Sequence, residues 1–187
     1  MPPSVRITKE DIIKTAMELV RKNGEDAINA RAIASALGCS TQPVFSNFAS
    51  MVEVREAVIE AAEALCAEYS KAEMEKGEYP PYKASGMGYI RFAKEEKELF
   101  RLLFMRERTE TGTTSAPDFE ASVQMIMQAN GITKEKATLI HLEVWCCVHG
   151  IATMLVTSFL PLEWDLISDM LTDVYLGIRE KHLKEEN

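Results

Sequence analysis

At 187 residues, 47% apolar and 27% charged, the chain has the composition of an ordinary soluble globular protein of one domain or two small ones. A net charge of −8 argues against a general nucleic-acid coat. The charge is uneven: residues 1–50 carry six Lys/Arg against five Asp/Glu, and residues 51–187 carry fifteen against twenty-four. A near-neutral N-terminal part on an acidic body suits site-restricted binding better than non-specific wrapping. Four cysteines, Cys39, Cys66, Cys146 and Cys147, show no C-x-x-C spacing and read as reduced thiols of a cytoplasmic chain. The opening MPPSVRITKED has no apolar run, so no signal peptide is expected.

Few prolines and glycines and few alternating β-branched runs predict an all-α fold. The first helix starts at Thr8, where Thr-Lys-Glu-Asp is a capping box, buries Ile12, Ala16, Leu19 and Val20, and stops at Asn23-Gly24. In Asn29–Phe48, NARAIASALGCSTQPVFSNF, residues Ala30, Ile33, Ala34 and Leu37 share one helical face, with Asn29 as N-cap. Gly38 is placed to end that helix in the left-handed region. Ser40 is expected to cap the next helix, with Pro43 in its first turn. Val44 and Phe48 give that short helix one buried side, leaving Thr41, Gln42, Ser46 and Asn47 polar and outward. This is the layout of a helix-turn-helix whose second helix enters a DNA major groove.

A fourth helix opens at the capping box Ser50-Met-Val-Glu and runs to about Lys76, before Gly77 and Pro80-Pro81. Beyond Tyr82 the chain turns aromatic and Met-rich, then polar over 109–117, which reads as a loop. Further helices are expected over 118–129, from Thr133 to Leu160 with Pro161 as terminator, and over 162–181. The apolar run 139–162 is long enough to raise a membrane span. His141, Glu143 and His149 interrupt it, which favours a helix buried in protein and no membrane.

Two regions resemble the TetR family of bacterial transcriptional regulators. Residues 8–65 carry the capping threonine, the Asn-Gly helix end, Ile33-Ala34-x-x-Leu37-Gly38 and Val44-Phe45-x-x-Phe48. YIRFAKEEKELFRLLF (89–104) and WCCVHG (145–150) resemble the effector domain of one branch of that family. The resemblance implies a three-helix helix-turn-helix DNA-binding domain, 1–50, joined to a helical effector-binding and dimerisation domain, 51–187. It implies a homodimer on a double-stranded palindromic operator, released when a small molecule changes the spacing of the two DNA-binding units. Phe45 stands where the family usually has a phosphate-binding tyrosine, and Met51 where it usually has a lysine. Losing both contacts weakens the hold on phosphate and flattens the salt dependence.

Gln42 and Asn47 are candidate adenine readers, Thr41 can meet a thymine methyl, and Ser46 and Pro43 complete the surface. Asn29, Arg31 and Ser40 lie at helix starts that would face phosphate, as would Phe45 if it were tyrosine. Arg6 and Lys9 could reach phosphate from the N-terminal arm. Phe92, Phe100, Phe104, Met105, Met125, Trp145 and His149 are the candidate lining of a pocket for a small apolar effector. An anionic ligand would need an internal cation, for which Arg91 and Arg101 are the candidates, and both are expected to reach solvent. Trp145 and His149 otherwise read as core, with Gly150 admitting a neighbouring helix. Candidate dimer contacts are Ala152, Leu155, Val156 and Phe159 on the long helix, and Leu166, Met170, Val174 and Leu176 on the last.

The spacing of His141, Glu143, Cys146, Cys147 and His149 suits no single metal site. Neither a nucleophile–base pair nor a phosphate loop is present, so no metal, cofactor or enzyme activity is expected. The competing reading is a helical small-molecule-binding protein whose DNA-binding unit has weakened at Phe45 and Met51.

Overall fold

A computed structural model describes residues 7–105 and 119–184. Among them the regular elements are all helical: α1 (Lys9–Asn23), a 3₁₀ turn (Glu25–Ala27), α2 (Ala30–Ala36), α3 (Gln42–Asn47) and α4 (Met51–Lys76). These are followed by α5 (Pro81–Glu95), α6 (Lys97–Phe104), α7 (Phe119–Asn130), α8 (Lys134–Val156) and α9 (Trp164–Lys184). The expected loop at 109–117 and the arm residue Arg6 lie outside the described residues. The described residues form two compact units, 7–65 with 96–105, and 66–95 with 119–184. These units differ from a division at 50/51 on two counts. Helix α4 belongs to both, up to Leu65 in the first and from Cys66 in the second, and the first unit also takes α6.

The first unit is organised by local caps. Thr8 Oγ1 accepts from the Asp11 N–H (3.1 Å) while Asp11 accepts from the Thr8 N–H (2.9 Å), a reciprocal pair that holds the Asp11 carboxyl below its usual range. At the far end of α1 the Gly24 N–H closes on the Val20 carbonyl (2.8 Å). Asn29 Oδ1 accepts from the Ala32 N–H (2.9 Å) and opens α2. Ser50 and Glu53 open α4: Ser50 Oγ accepts from Glu53 N–H (3.3 Å) and Glu53 accepts from Ala49 N–H (2.6 Å). Ile12, Ala16, Val20, Ile33, Val44, Val54 and Val58 form the core with Leu99, Phe100, Leu102 and Leu103 of α6. Helix α6 joins this unit because its apolar side packs on α1. Arg21 clamps its start, with Nε and Nη2 donating to the two oxygens of Glu96 (2.8 and 2.9 Å).

In the second unit α5, α7 and α9 surround α8. By length and composition α8 could cross a membrane. Its Ala137, Ile140, Val144, Val148, Ile151, Ala152, Leu155 and Val156 are instead buried against the unit's own helices. Helix α8 ends at Val156 rather than at Leu160. Ser158 takes φ +54°, with the Phe159 N–H on the Met154 carbonyl (3.0 Å) and the Ser158 N–H on Leu155 (3.2 Å). That closing motif satisfies the last carbonyls before Pro161 is reached. Because Ala152, Leu155 and Val156 are buried in their own unit, they are unavailable as dimer contacts. Gly150 meets no neighbour within 4 Å among the described residues, so it admits none of the described helices.

Candidate functional sites

The turn between α2 and α3 is set by one backbone requirement. Gly38 sits at φ +67°, its N–H bonded to the Ser35 carbonyl (3.2 Å), and the Cys39 N–H reaches Ala34 (3.0 Å). This is the closing motif that a glycine completes without steric cost. The N-cap position of α3 is then Thr41, not Ser40, and no side chain caps the helix. Pro43 lies in its first turn, where its missing N–H leaves one fewer donor to satisfy. Val44 and Phe48 are buried beneath the helix.

The outward side of α3 exposes Gln42, Phe45 and Ser46, with Thr41 and Pro43 half-buried. Phe45 stands at its centre, 52% exposed. Asn29, Arg31 and Ser40 are exposed nearby in the same unit. Two polar side chains on α3 bond to backbone carbonyls. Ser46 Oγ donates to the Gln42 carbonyl (2.9 Å), and the Asn47 amide donates to Pro43 (2.8 Å) and Ile7 (3.3 Å). Half-buried Asn47 thus ties α3 to the chain just before α1, and its donors are already used. Lys9 is engaged with Glu53 (3.7 Å) and lies over the Phe48 ring.

The second unit encloses a cavity of about 810 Å³, in the size range of small-molecule sites. Of the seven residues expected to line it, Met125 and Trp145 do. The rest lie elsewhere. Phe92 is fully buried, edge-on to Tyr69 (5.6 Å). Phe100, Phe104 and Met105 belong to α6 or its end in the first unit, where Phe100 and Phe104 pack together (4.9 Å). His149 stands behind the wall, its Nδ1 hydrogen-bonded to the hydroxyl of lining Tyr89 (2.9 Å). A second such pair joins Tyr82 of α5 to His141 Nδ1 of α8 (3.0 Å). Trp145 lies between the two histidines, four residues from each, and 4.7 Å from the Tyr89 ring. The two tyrosines are seven residues apart, so α5 meets α8 with its hydroxyls two turns apart, matching the histidine spacing.

His141 is 3% exposed, and burial lowers its pKa, so it is neutral near pH 7. Its Nε2 has no hydrogen-bond partner among the described residues. Burial, helped by Tyr175, raises the Tyr82 phenol well above its usual range. The cavity also receives a polar stripe that sequence reasoning missed. Thr172, Tyr175 and Arg179 of α9 line it, and Ser168 stands one turn before them. Lys83 of α5 donates to Ser168 Oγ (2.7 Å) and Thr172 Oγ1 (2.8 Å). Arg179 Nε donates to Asn130 Oδ1, and the Asn130 amide donates to the Tyr175 hydroxyl (2.9 Å). The spacing 168, 172, 175, 179 is one face of a helix and was the available signal. Arg91, by contrast, is paired with Glu73 and stacked 4.2 Å from Trp164, and Arg101 pairs with Glu98 in the first unit.

Among the described residues no group of three or more His, Cys, Asp or Glu is placed to hold a metal. An all-helical chain with a helix-turn-helix in one unit and a cavity in the other has the plan of a helix-turn-helix regulator. The model of the tetracyclin repressor-like C-terminal domain matches residues 82–175, half of the chain. The chain belongs to the TetR family of transcriptional regulators. The same fold is seen in the crystal structure of a TetR-like transcriptional regulator from Rhodococcus sp. RHA1. That structure is 17% identical, with a TM-score of 0.68 over 94% of this chain and 96% of that one. No curated protein matches the sequence. Regulators of this family in general bind DNA and small ligands as dimers, are cytoplasmic and are not enzymes.

Proposed function

We propose that the protein is a ligand-responsive repressor that binds a palindromic operator as a cytoplasmic homodimer. The observation that carries this reading is the continuity of two helices. Cys66 and Ser70 of α4 line the cavity, and the same helix buries Val54, Val58 and Ala62 in the first unit. Helix α5 supplies Tyr82, Lys83 and Tyr89 to the wall and passes through Glu96 alone into α6, also of the first unit. A ligand that prefers one arrangement of α4 and α5 therefore biases the unit that carries α3, to the extent of that preference.

Gln42, Phe45 and Ser46, with Thr41 and Pro43, are the proposed base-contacting surface, and a phenylalanine edge suits a thymine methyl. Asn29, Arg31 and Ser40 are the proposed phosphate contacts. Asn47 is proposed to position α3 rather than to read bases. The dimer is proposed to form on the outer faces of α8 and α9. Leu139, Leu142 and Leu166 are exposed there, and Gly150 and Gly177 leave open space for a close partner, whereas half-exposed Leu176 lines the cavity. Phe159, just beyond the end of α8, is 79% exposed.

A gel-shift titration on the DNA flanking its own gene tests the reading. Retarded complexes of two-half-site stoichiometry are expected, dissolved by the effector. A protein that binds small molecules but no DNA would favour the alternative, a helical binding protein whose DNA unit has weakened at Phe45 and Met51.

A further inference from the structure

We infer that the cavity of the second unit takes a small organic carboxylate, its acid group held by Arg179 with Lys83 as second cation. Its apolar body would lie against Met125, Val144, Trp145 and Val148. This rests on the ligand-responsive reading only in naming the ligand that such a cavity receives.

Two cations line the cavity and no lining residue is Asp or Glu. Neither Lys83 nor Arg179 has a carboxylate partner among the described residues. This is not a consequence of composition, since residues 51–187 carry more acids than bases. Cations drawn partly out of water need an opposite charge or full hydrogen bonding to offset lost hydration. Here neutral groups orient them and leave donors over. The hydroxyls of Ser168 and Thr172 take two of the three N–H bonds of Lys83, and its ammonium also lies over the neutral Tyr79 ring, 4.8 Å from its centre. Asn130 takes Nε of Arg179, and its two terminal nitrogens donate to nothing among the described residues.

That free fork matches the two oxygens of one carboxylate. Thr172 and Arg179 lie two turns apart, about 10 Å along α9. Lys83, held at Thr172, is thus placed for a second polar group or as a field that attracts the anion. His141 Nε2, buried and without a partner among the described residues, adds a further neutral polar atom in the same wall. The remaining wall is apolar and aromatic, which sets the ligand as an amphipathic acid rather than an inorganic anion. An organic cation would meet two like charges and nothing to neutralise it.

The test is calorimetric titration of the full chain with benzoate, 4-phenylbutyrate, octanoate and decanoate. Each is compared with its primary amide, and decyltrimethylammonium serves as the cationic control. At least one acid should bind about tenfold or more tighter than its amide, more weakly as salt is raised, and the cation should not bind. Arg179→Gln should remove the acid-over-amide preference while amide affinity persists, and Arg179→Lys should restore part of it. Should Arg179→Gln fail to fold, Lys83→Met and the wild-type comparison still decide.

Equal affinity for acid and amide, tighter binding of the cation, or no acid binding up to about 1 mM would overturn the inference. A preference unchanged in both variants would overturn it too. Operator release is read separately by gel shift. Amides that bind best and release DNA would sink the carboxylate inference and leave the repressor standing. Acids that bind through Arg179 without releasing DNA would do the reverse.

Discussion

Single side chains on α3 divide into those free to touch DNA and those already committed. Gln42 is exposed and its side chain makes no hydrogen bond among the described residues, so Gln42→Ala should cost about 1–3 kcal/mol on the preferred site and much less on random DNA. Asn47 spends its amide on Pro43 and Ile7. Asn47→Ala should therefore lower unfolding stability by about 1 kcal/mol and weaken both DNAs alike. Fluorescence anisotropy on the two DNAs, beside a urea melt of each variant, separates the two roles. In the other unit Glu73 is 1% exposed. Burial alone would raise its pKa, but Lys76 (2.7 Å) and Arg91 outweigh that and hold it low. A lowered folded-state pKa adds stability that is present above the ordinary carboxylate range and is lost as pH falls through the lowered value. The thermal midpoint of the wild type should thus drop as pH falls below about 4.5, and Glu73→Gln should flatten that acid limb.

Two glycines show how the same substitution fails for opposite reasons at the scale of an element. At Gly38 space is open but φ is +67°, so Gly38→Ala should cost about 1–2 kcal/mol through backbone strain alone. At Gly88 a Cβ would lie 2.5 Å from Ser70 Cα and 2.6 Å from the Tyr69 carbonyl oxygen, so α4 and α5 must part. Gly88→Ala should destabilise by about 1–3 kcal/mol and also alter effector response, because both helices line the cavity. Thermal melts and operator-release curves of the two variants check this; a Gly88→Ala protein with normal release would remove α4 and α5 from the switch. Elements with local determinants were legible in the sequence. The caps at Thr8, Asn29 and Ser50 each need only residues three or four apart, and Gly24 and Gly38 act on their own turns. The start of α3 was misplaced by one residue because Ser40 and Thr41 are both good caps by composition. The cavity was not legible, since aromatic content does not reveal which unit a helix joins. Phe100 and Phe104 went with α6 to α1, while the polar stripe on α9 gains meaning only where Lys83 meets it.

For the whole molecule, the described chain leaves an outer face on α8 and α9 that it does not cover. Sedimentation at micromolar concentration should give a dimer, and Leu166→Glu should shift it toward monomer without loss of helix content. A wild-type monomer would leave no device for spacing two half-sites. The central claim, that one chain joins operator recognition to a ligand cavity, is tested most directly by footprinting the full-length protein on the DNA flanking its own gene. The account predicts two protected half-sites about one helical turn apart or a multiple of it, lost when a cavity ligand is added and persisting in a variant whose cavity no longer binds it. Uniform protection of random and flanking DNA, or protection that the bound ligand leaves unchanged, would contradict it.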